Sequence, residues 1–251
     1  MATRYFIKLS YKGTHYCGWQ VQENAVTVQQ KLNEVLSVLL QKPIDTVGCG
    51  RTDTGVHARD YYAHFDTEIS FESKEGFLYR MNKILPKDIA VLDIIPVTEN
   101  AHARFDAAKR TYKYYISKVK NPFLQDTAWY FTQDLDLKAM NAAAQQLFKY
   151  TDFSAFSKSN TQTKTNNCKI YEVEWTLLDD KLIFTICADR FLRNMVRAIV
   201  GTLIEVGTAK ITIDQFCKII EAKDRTKAGQ SAPAEGLFLE KIEYPRTLFL
   251  T

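Results

Sequence analysis

The chain has 251 residues, 46% hydrophobic and 25% charged, the balance of a globular protein able to bury its own core. Lys plus Arg is 33 against 29 Asp plus Glu, a net charge of +4 that permits a nucleic-acid partner without requiring one. No run of 18 apolar residues occurs, so no membrane span is expected. The five cysteines are odd in number and show no Cys-x-x-Cys spacing, which argues against a disulfide framework or a zinc knuckle.

The N-terminal MATRYFIKLSYKG lacks the apolar core of a signal peptide, and with those cysteines a reducing, cytoplasmic setting is expected. Arg4 to Tyr11 is rich in β-branched and aromatic residues and predicts a strand. Thr27 then caps a helical pattern with Leu32, Val35, Leu36 and Leu39 on one face. A short strand reaches Gly50, a glycine-rich loop follows, and a second strand runs near Tyr61 to Phe65. A helix from Lys74 to Ile84 stops before Pro86, and a strand from Ile89 to Val97 closes a β-α-β-β-α-β order.

The second half repeats that order. Thr111 to Ser117 alternates as a strand, and Leu137 to Lys149 is a helix. Ile170 to Leu178 and Leu182 to Ala188 form a hairpin across Asp179-Asp180. Leu192 to Val206 is an apolar helix ending near Gly207, an extra helix starts after Thr212, and Leu237 to Ile242 is the last strand. The expected class is α+β, with residues 1–103 and 104–251 as two β-α-β-β-α-β halves joined near 98–109. Two such halves side by side can share a mostly antiparallel sheet, with helices packed on it and a central cleft.

Charge is distributed unevenly. Arg104, Lys109, Arg110, Lys113, Lys118 and Lys120 stand against the single acid Asp106, and Arg190, Arg193 and Arg197 form a second cluster. Composition alone reads such clusters as solvated faces. The polar stretch Ser157 to Lys169 is open to two readings, an RNA contact or a surface loop without fixed structure.

The densest chemical signal is VGCGRTDTGVHAR, Val47 to Arg59. A strand-to-strand turn needs only backbone freedom, yet this one carries Arg51, Asp53 and His57 among its glycines. Asp53 can be a working carboxylate or can cap local amides in an Asx turn, and the pattern leaves both open. A phosphate-binding loop would need Gly-Lys-Ser/Thr, and a dinucleotide fingerprint would need a third glycine; both are missing. Cys49, Asp53 and His57 fall at intervals of four, but in a loop that spacing implies no metal site. Asp53-Thr54-Gly55 also occurs in aspartic proteases. Those need a second such Asp and an all-β fold, and the helical patterns oppose that.

GRTDTGVHA resembles the catalytic loop of the synthase A family of bacterial tRNA pseudouridine synthases, G-R-T-D-A-G-V-H-A in its usual form. Further stretches agree in the same order: YKGTHYCGWQVQ, ARFDAAKRTYKYYI, DFSAFSKSN, FLRNMVRAIVGTL and APAEGLFL. Together they span nearly the whole chain. The main departure is Thr54 in place of Ala.

The resemblance implies two ferredoxin-like halves forming one sheet, a homodimer, a tRNA substrate, no cofactor and no metal. The expected targets are uridines 38, 39 and 40 of the anticodon stem-loop. It implies Asp53 as the essential carboxylate, paired with Arg197. Arg51 would fill the space left by the flipped uridine, Tyr112 would stack on that base, and Leu237 would form an apolar wall. Tyr112 and Tyr114 share one face of their strand, so alternation does not choose between them. For His57 a structural role is expected. The rival reading is an RNA-binding module without chemistry; it would need an aromatic RNP1-like strand, and TYKYYIS lacks the glycine.

Overall fold

The structure is a computed structural model describing residues 2–69, 71, 73–158 and 165–250. Among them are nine strands and five helices, an α+β arrangement. They divide into two compact units, Met1–Ala108 with Leu239–Thr251, and Lys109–Phe238.

The first unit is built on β1 (Thr3–Tyr11), which pairs antiparallel with both β3 (His57–Thr67) and β4 (Ile89–Pro96). The two-residue β2 (Val47–Gly48) pairs with β3, and β9 (Leu237–Glu243) lies on the other side of β3 from β1. β3 is buried through its middle on both faces, so both need apolar or satisfied residues. β3 meets this with Tyr61, Tyr62, Ala63 and Phe65, and with two buried histidines whose ring nitrogens accept main-chain bonds. It therefore runs eleven residues, well beyond the apolar core visible in the sequence.

Helix α1 (Val28–Leu40) starts where Thr27 Oγ1 accepts the Gln30 amide, a cap worth about 1 kcal/mol. Its buried face is Val28, Leu32, Val35, Leu36 and Leu40. Leu40 rather than Leu39 completes it. Helix α2 (Lys74–Ile84) has the bounds expected, with Ser73 as its cap.

In the second unit the order is β5 (Lys109–Ser117), β8 (Lys181–Ala188) and β7 (Ile170–Leu178), all antiparallel. A two-residue β6 (Trp129–Tyr130), which no sequence pattern announces, pairs parallel with β5. Helix α3 (Leu137–Gln146) ends a turn early, passing into a 3-10 turn over Leu147–Lys149. Helix α4 (Met195–Gly207) starts three residues later than its apolar pattern suggests, because Asn194 has a φ of 66°. Helix α5 (Ile213–Ala222) opens on a full capping box between Thr212 and Gln215.

Each unit has one outer strand whose unpaired backbone is met by a helix asparagine. Asn82 of α2 donates to the Val91 carbonyl and accepts its amide, both at 2.8 Å. Asn141 of α3 does the same to Trp175, at 2.9 and 2.8 Å. This covers edge groups that would otherwise template pairing with another chain. Of the polar stretch Ser157 to Lys169, residues 159–164 lie outside the described residues. Among the described residues no helix is long and apolar enough to cross a membrane.

Candidate active site

Residues 49–56 connect β2 to β3, and the segment 11–19 holds them from below. Tyr11 and Thr52 share a hydroxyl hydrogen bond of 2.9 Å. The Thr52 carbonyl accepts the Trp19 amide at 3.4 Å, and the Tyr16 carbonyl accepts the Gly55 amide at 3.3 Å. The Tyr61 hydroxyl donates to the Gly50 carbonyl, and the Tyr61 ring stacks on Trp19 with centroids 4.1 Å apart. Burial pushes the Tyr61 phenol well above its ordinary pKa, so it stays a donor.

Two glycines permit this close approach. Gly18 has a φ of 82°, and a side chain there would run into the Thr52 carbonyl. Gly48 leaves no room for a Cβ against Tyr61 and Trp19.

Asp53 is half-buried at the head of a turn closed by its own carbonyl and the Val56 amide, 3.1 Å apart. Gly55, at a φ of 80°, takes the third position of that turn, where positive φ favours glycine. The amides an Asx turn would use, Gly55 and Val56, both go to main-chain carbonyls. The carboxylate is therefore not required to close the turn. Arg51 and Thr54 are exposed, so the hydroxyl and methyl of Thr54 face solvent.

His57 is fully buried as the first residue of β3, and its Nδ1 accepts the Gly13 amide at 2.9 Å. An accepting Nδ1 fixes a neutral ring with its proton on Nε2. His57 thus ties the 13–19 segment to the loop, a structural part.

In the second unit the structure separates the tyrosines of β5. Tyr114 is fully buried, and its hydroxyl donates to the Pro233 carbonyl at 2.8 Å. Burial raises its pKa further from neutrality. Tyr112 is half-buried, with its ring edge-on to Phe191 at 5.1 Å. Tyr114 is committed to packing; Tyr112 keeps an accessible ring.

Arg197 lies in the first turn of α4. Its Nε donates to the Ala232 carbonyl at 2.7 Å, and the Ala232 amide returns a bond to the Arg197 carbonyl at 2.9 Å. Asn194 and Arg225 both reach Ser231 Oγ, at 2.6 and 2.8 Å. Gly201 lets the Gln230 carbonyl lie against the helix where a Cβ would otherwise stand. These contacts fix residues 230–232 on α4 and orient the guanidinium. Leu237 is buried at the start of β9. The structure thus gathers Arg51 and Asp53 on one loop of the first unit. Tyr112, Arg197 and Leu237 belong to the second.

Sequence reasoning missed the supports of the loop, Tyr11, Trp19 and Tyr61. Gly13 and Gly18 are the available signal, since two glycines six residues before and just beside a Trp mark backbone packed against something. Among the described residues no three His, Cys or carboxylate groups come together to hold a metal ion.

A half-buried carboxylate on a rigid turn can act as a nucleophile, stabilise a sugar cation or take a proton. A family profile described as tRNA pseudouridine synthase matches residues 143–245. The chain is 53% identical over 246 residues to the tRNA pseudouridine synthase A of Parabacteroides distasonis, covering 98% of each chain. It is 51% identical over 247 residues to that of Bacteroides fragilis, again 98% of each. To that of Clostridium acetobutylicum it is 39% identical over 240 residues, 95% of this chain and 98% of the relative.

Proposed function

This chain belongs to the tRNA pseudouridine synthase A family and is an isomerase that makes pseudouridine in tRNA, and from that premise we propose that Asp53 is its essential carboxylate. The proposed targets are uridines 38, 39 and 40 of the anticodon stem-loop, with the enzyme a cytoplasmic homodimer of chains each built from two ferredoxin-like halves.

The reaction breaks the N1–C1′ bond, turns the uracil and joins C5 to C1′. C5 gives up a proton and N1 ends with one, so substrate and product are isomers. No electron is lost or gained, and the chemistry asks for no redox carrier. What it asks for is a carboxylate fixed beside the sugar or C5.

The observation that supports the assignment of Asp53 is its place, half-buried, at the head of a turn whose Gly55 and Val56 amides meet main-chain carbonyls. Arg51, exposed two residues earlier, is proposed to enter the space vacated when the uridine leaves its stack. Tyr112 stacks on the flipped base, Arg197 binds the substrate with a guanidinium oriented through Ala232, and Leu237 supplies apolar contact.

The test is tritium release from a tRNA transcript carrying [5-³H]uridine. Wild type releases tritium because C5 cannot bond to C1′ without losing its hydrogen; Asp53→Asn releases none. Wild-type-like release by Asp53→Asn would remove the carboxylate from the mechanism. Failure of wild type on several tRNAs would leave an RNA-binding module without chemistry.

A further inference from the structure

Away from the Asp53 loop, three side chains of the second unit converge. Lys109, the first residue of β5, and Lys169, just before β7, both set their ammonium groups over the ring of Tyr171. They lie 5.1 and 5.6 Å from its centroid. The two lysines come from β5 and from the segment leading into β7, so this is not a charge run folded onto a surface.

Tyr171 is delivered by a backbone irregularity. The β7–β8 register steps from Ile170↔Ala188 to Glu172↔Cys187, which leaves Tyr171 as the extra residue of a bulge. Bulges on edge strands re-aim side chains and are frequent beside functional sites. The ring is 40% exposed.

Two ammonium groups share one ring, and among the described residues neither is held in an ion pair. Asp189 spends Oδ1 on the Lys169 and Arg190 amides, at 2.8 and 2.7 Å. Glu172 is exposed, and neither lysine forms an ion pair among the described residues. The π face holds the cations but leaves their charge unspent. An anion bound by both would offset their charge, with the Tyr171 hydroxyl as a further donor.

We propose that Lys109, Lys169 and Tyr171 form a clamp for a phosphodiester of the RNA substrate, separate from the target-base pocket; the proposal rests on the tRNA isomerase reading. Lys109 precedes Tyr112 by three residues of β5, about 10 Å along the strand. The odd spacing puts the two on opposite faces. The phosphate backbone therefore rounds the end of the strand, where Lys109 sits, when a base is stacked on Tyr112. The clamp positions the RNA and reads no sequence.

The experiment measures tRNA affinity against salt, with kcat and KM by tritium release and Tm for folding. The variants are Lys109→Gln/Lys169→Gln, Tyr171→Ala and Tyr171→Phe. The lysine pair variant should flatten the log K against log salt slope by about 1, one unit for the one phosphate the clamp neutralises. Its KM should rise about tenfold or more, with kcat at saturating tRNA and Tm unchanged. Tyr171→Ala should show a smaller rise in KM, and Tyr171→Phe, which keeps the ring, should restore most of it. A lysine pair variant with wild-type slope and KM overturns the clamp and leaves the isomerase intact. A wild type that binds tRNA and releases no tritium overturns the isomerase reading, and the salt slopes still decide the clamp.

Discussion

Gly18 and Gly50 flank the proposed catalytic carboxylate from two directions, and the structure assigns them opposite tolerance. Gly18 has a φ of 82°, and a Cβ on it would stand 2.2 Å from the Thr52 carbonyl oxygen. Restoring ordinary contact requires about 1 Å of displacement, and the next residue is Asp53. The left-handed backbone adds about 1–2 kcal/mol of strain for a residue with a Cβ. Gly18→Ala should therefore lower Tm by about 2–8 °C. It should also lower kcat by about 100-fold, the usual cost of misplacing a catalytic group by that distance. Gly50, in contrast, has nothing within 4 Å of the place a Cβ would take, and its φ lies outside the positive region. Gly50→Ala should leave Tm unchanged, so any loss of activity it shows reports contact with RNA. Steady-state tritium release and thermal unfolding on the same preparations separate these outcomes. A Gly18→Ala enzyme within about threefold of wild-type kcat would refute the argument that the 13–19 segment sets the position of Asp53.

His64 is buried on β3 with Nδ1 accepting the Ala103 amide, and burial, with Arg4 and His102 nearby, lowers its pKa to about 4. The unfolded chain takes up this proton near pH 6.5, so stability is full above 6.5 and falls by about 3 kcal/mol as pH drops toward 4. Denaturant unfolding at pH 7 and 4.5 should show the loss, and His64→Gln should flatten it. Tyr114→Phe should cost about 1 kcal/mol by orphaning the Pro233 carbonyl, without weakening tRNA binding. Tyr112→Ala should leave Tm nearly unchanged and weaken tRNA binding by about 1–3 kcal/mol; the reverse pattern would exchange the roles of the two tyrosines. Gly201→Ala sets helix propensity, which favours Ala by about 1 kcal/mol, against the Gln230 carbonyl where the Cβ must go. The steric conflict is the larger effect, so the variant should unfold at lower temperature.

Most of the fold is legible because its elements announce themselves locally. The helix Lys74–Ile84 lies between Ser73 and Pro86, and the β7–β8 hairpin turns at Asp179, whose φ is 51°. Legibility fails where a tertiary contact outranks the local pattern. The β3 strand looks short because Arg59, Asp60 and His64 break its apolar run. Yet Asp60 pairs with Lys8 at 3.0 Å and accepts the Ile242 amide, and His64 is satisfied by Ala103. Helix α4 looks longer than it is because Leu192 is apolar and buried, and nothing in the letters reveals that Asn194 turns left-handed.

The candidate site divides the same way. Asp53 stands out in the sequence because an Arg, a carboxylate and a His crowd a segment that needs only to turn. Residue types alone cannot say whether that carboxylate closes the turn or works beyond it, since an Asx turn and a catalytic loop use the same letters. The structure adds that the Gly55 and Val56 amides reach the carbonyls of Tyr16 and Asp53, so main-chain bonds are enough to close the turn. The choice between Tyr112 and Tyr114 has the same form. Strand alternation makes them equivalent, and what distinguishes them lies more than a hundred positions away, where the Pro233 carbonyl engages the Tyr114 hydroxyl. In both cases the sequence supplies the chemical group and its neighbours in the chain. For Tyr114, the hydrogen bond to a distant carbonyl commits that group to structure.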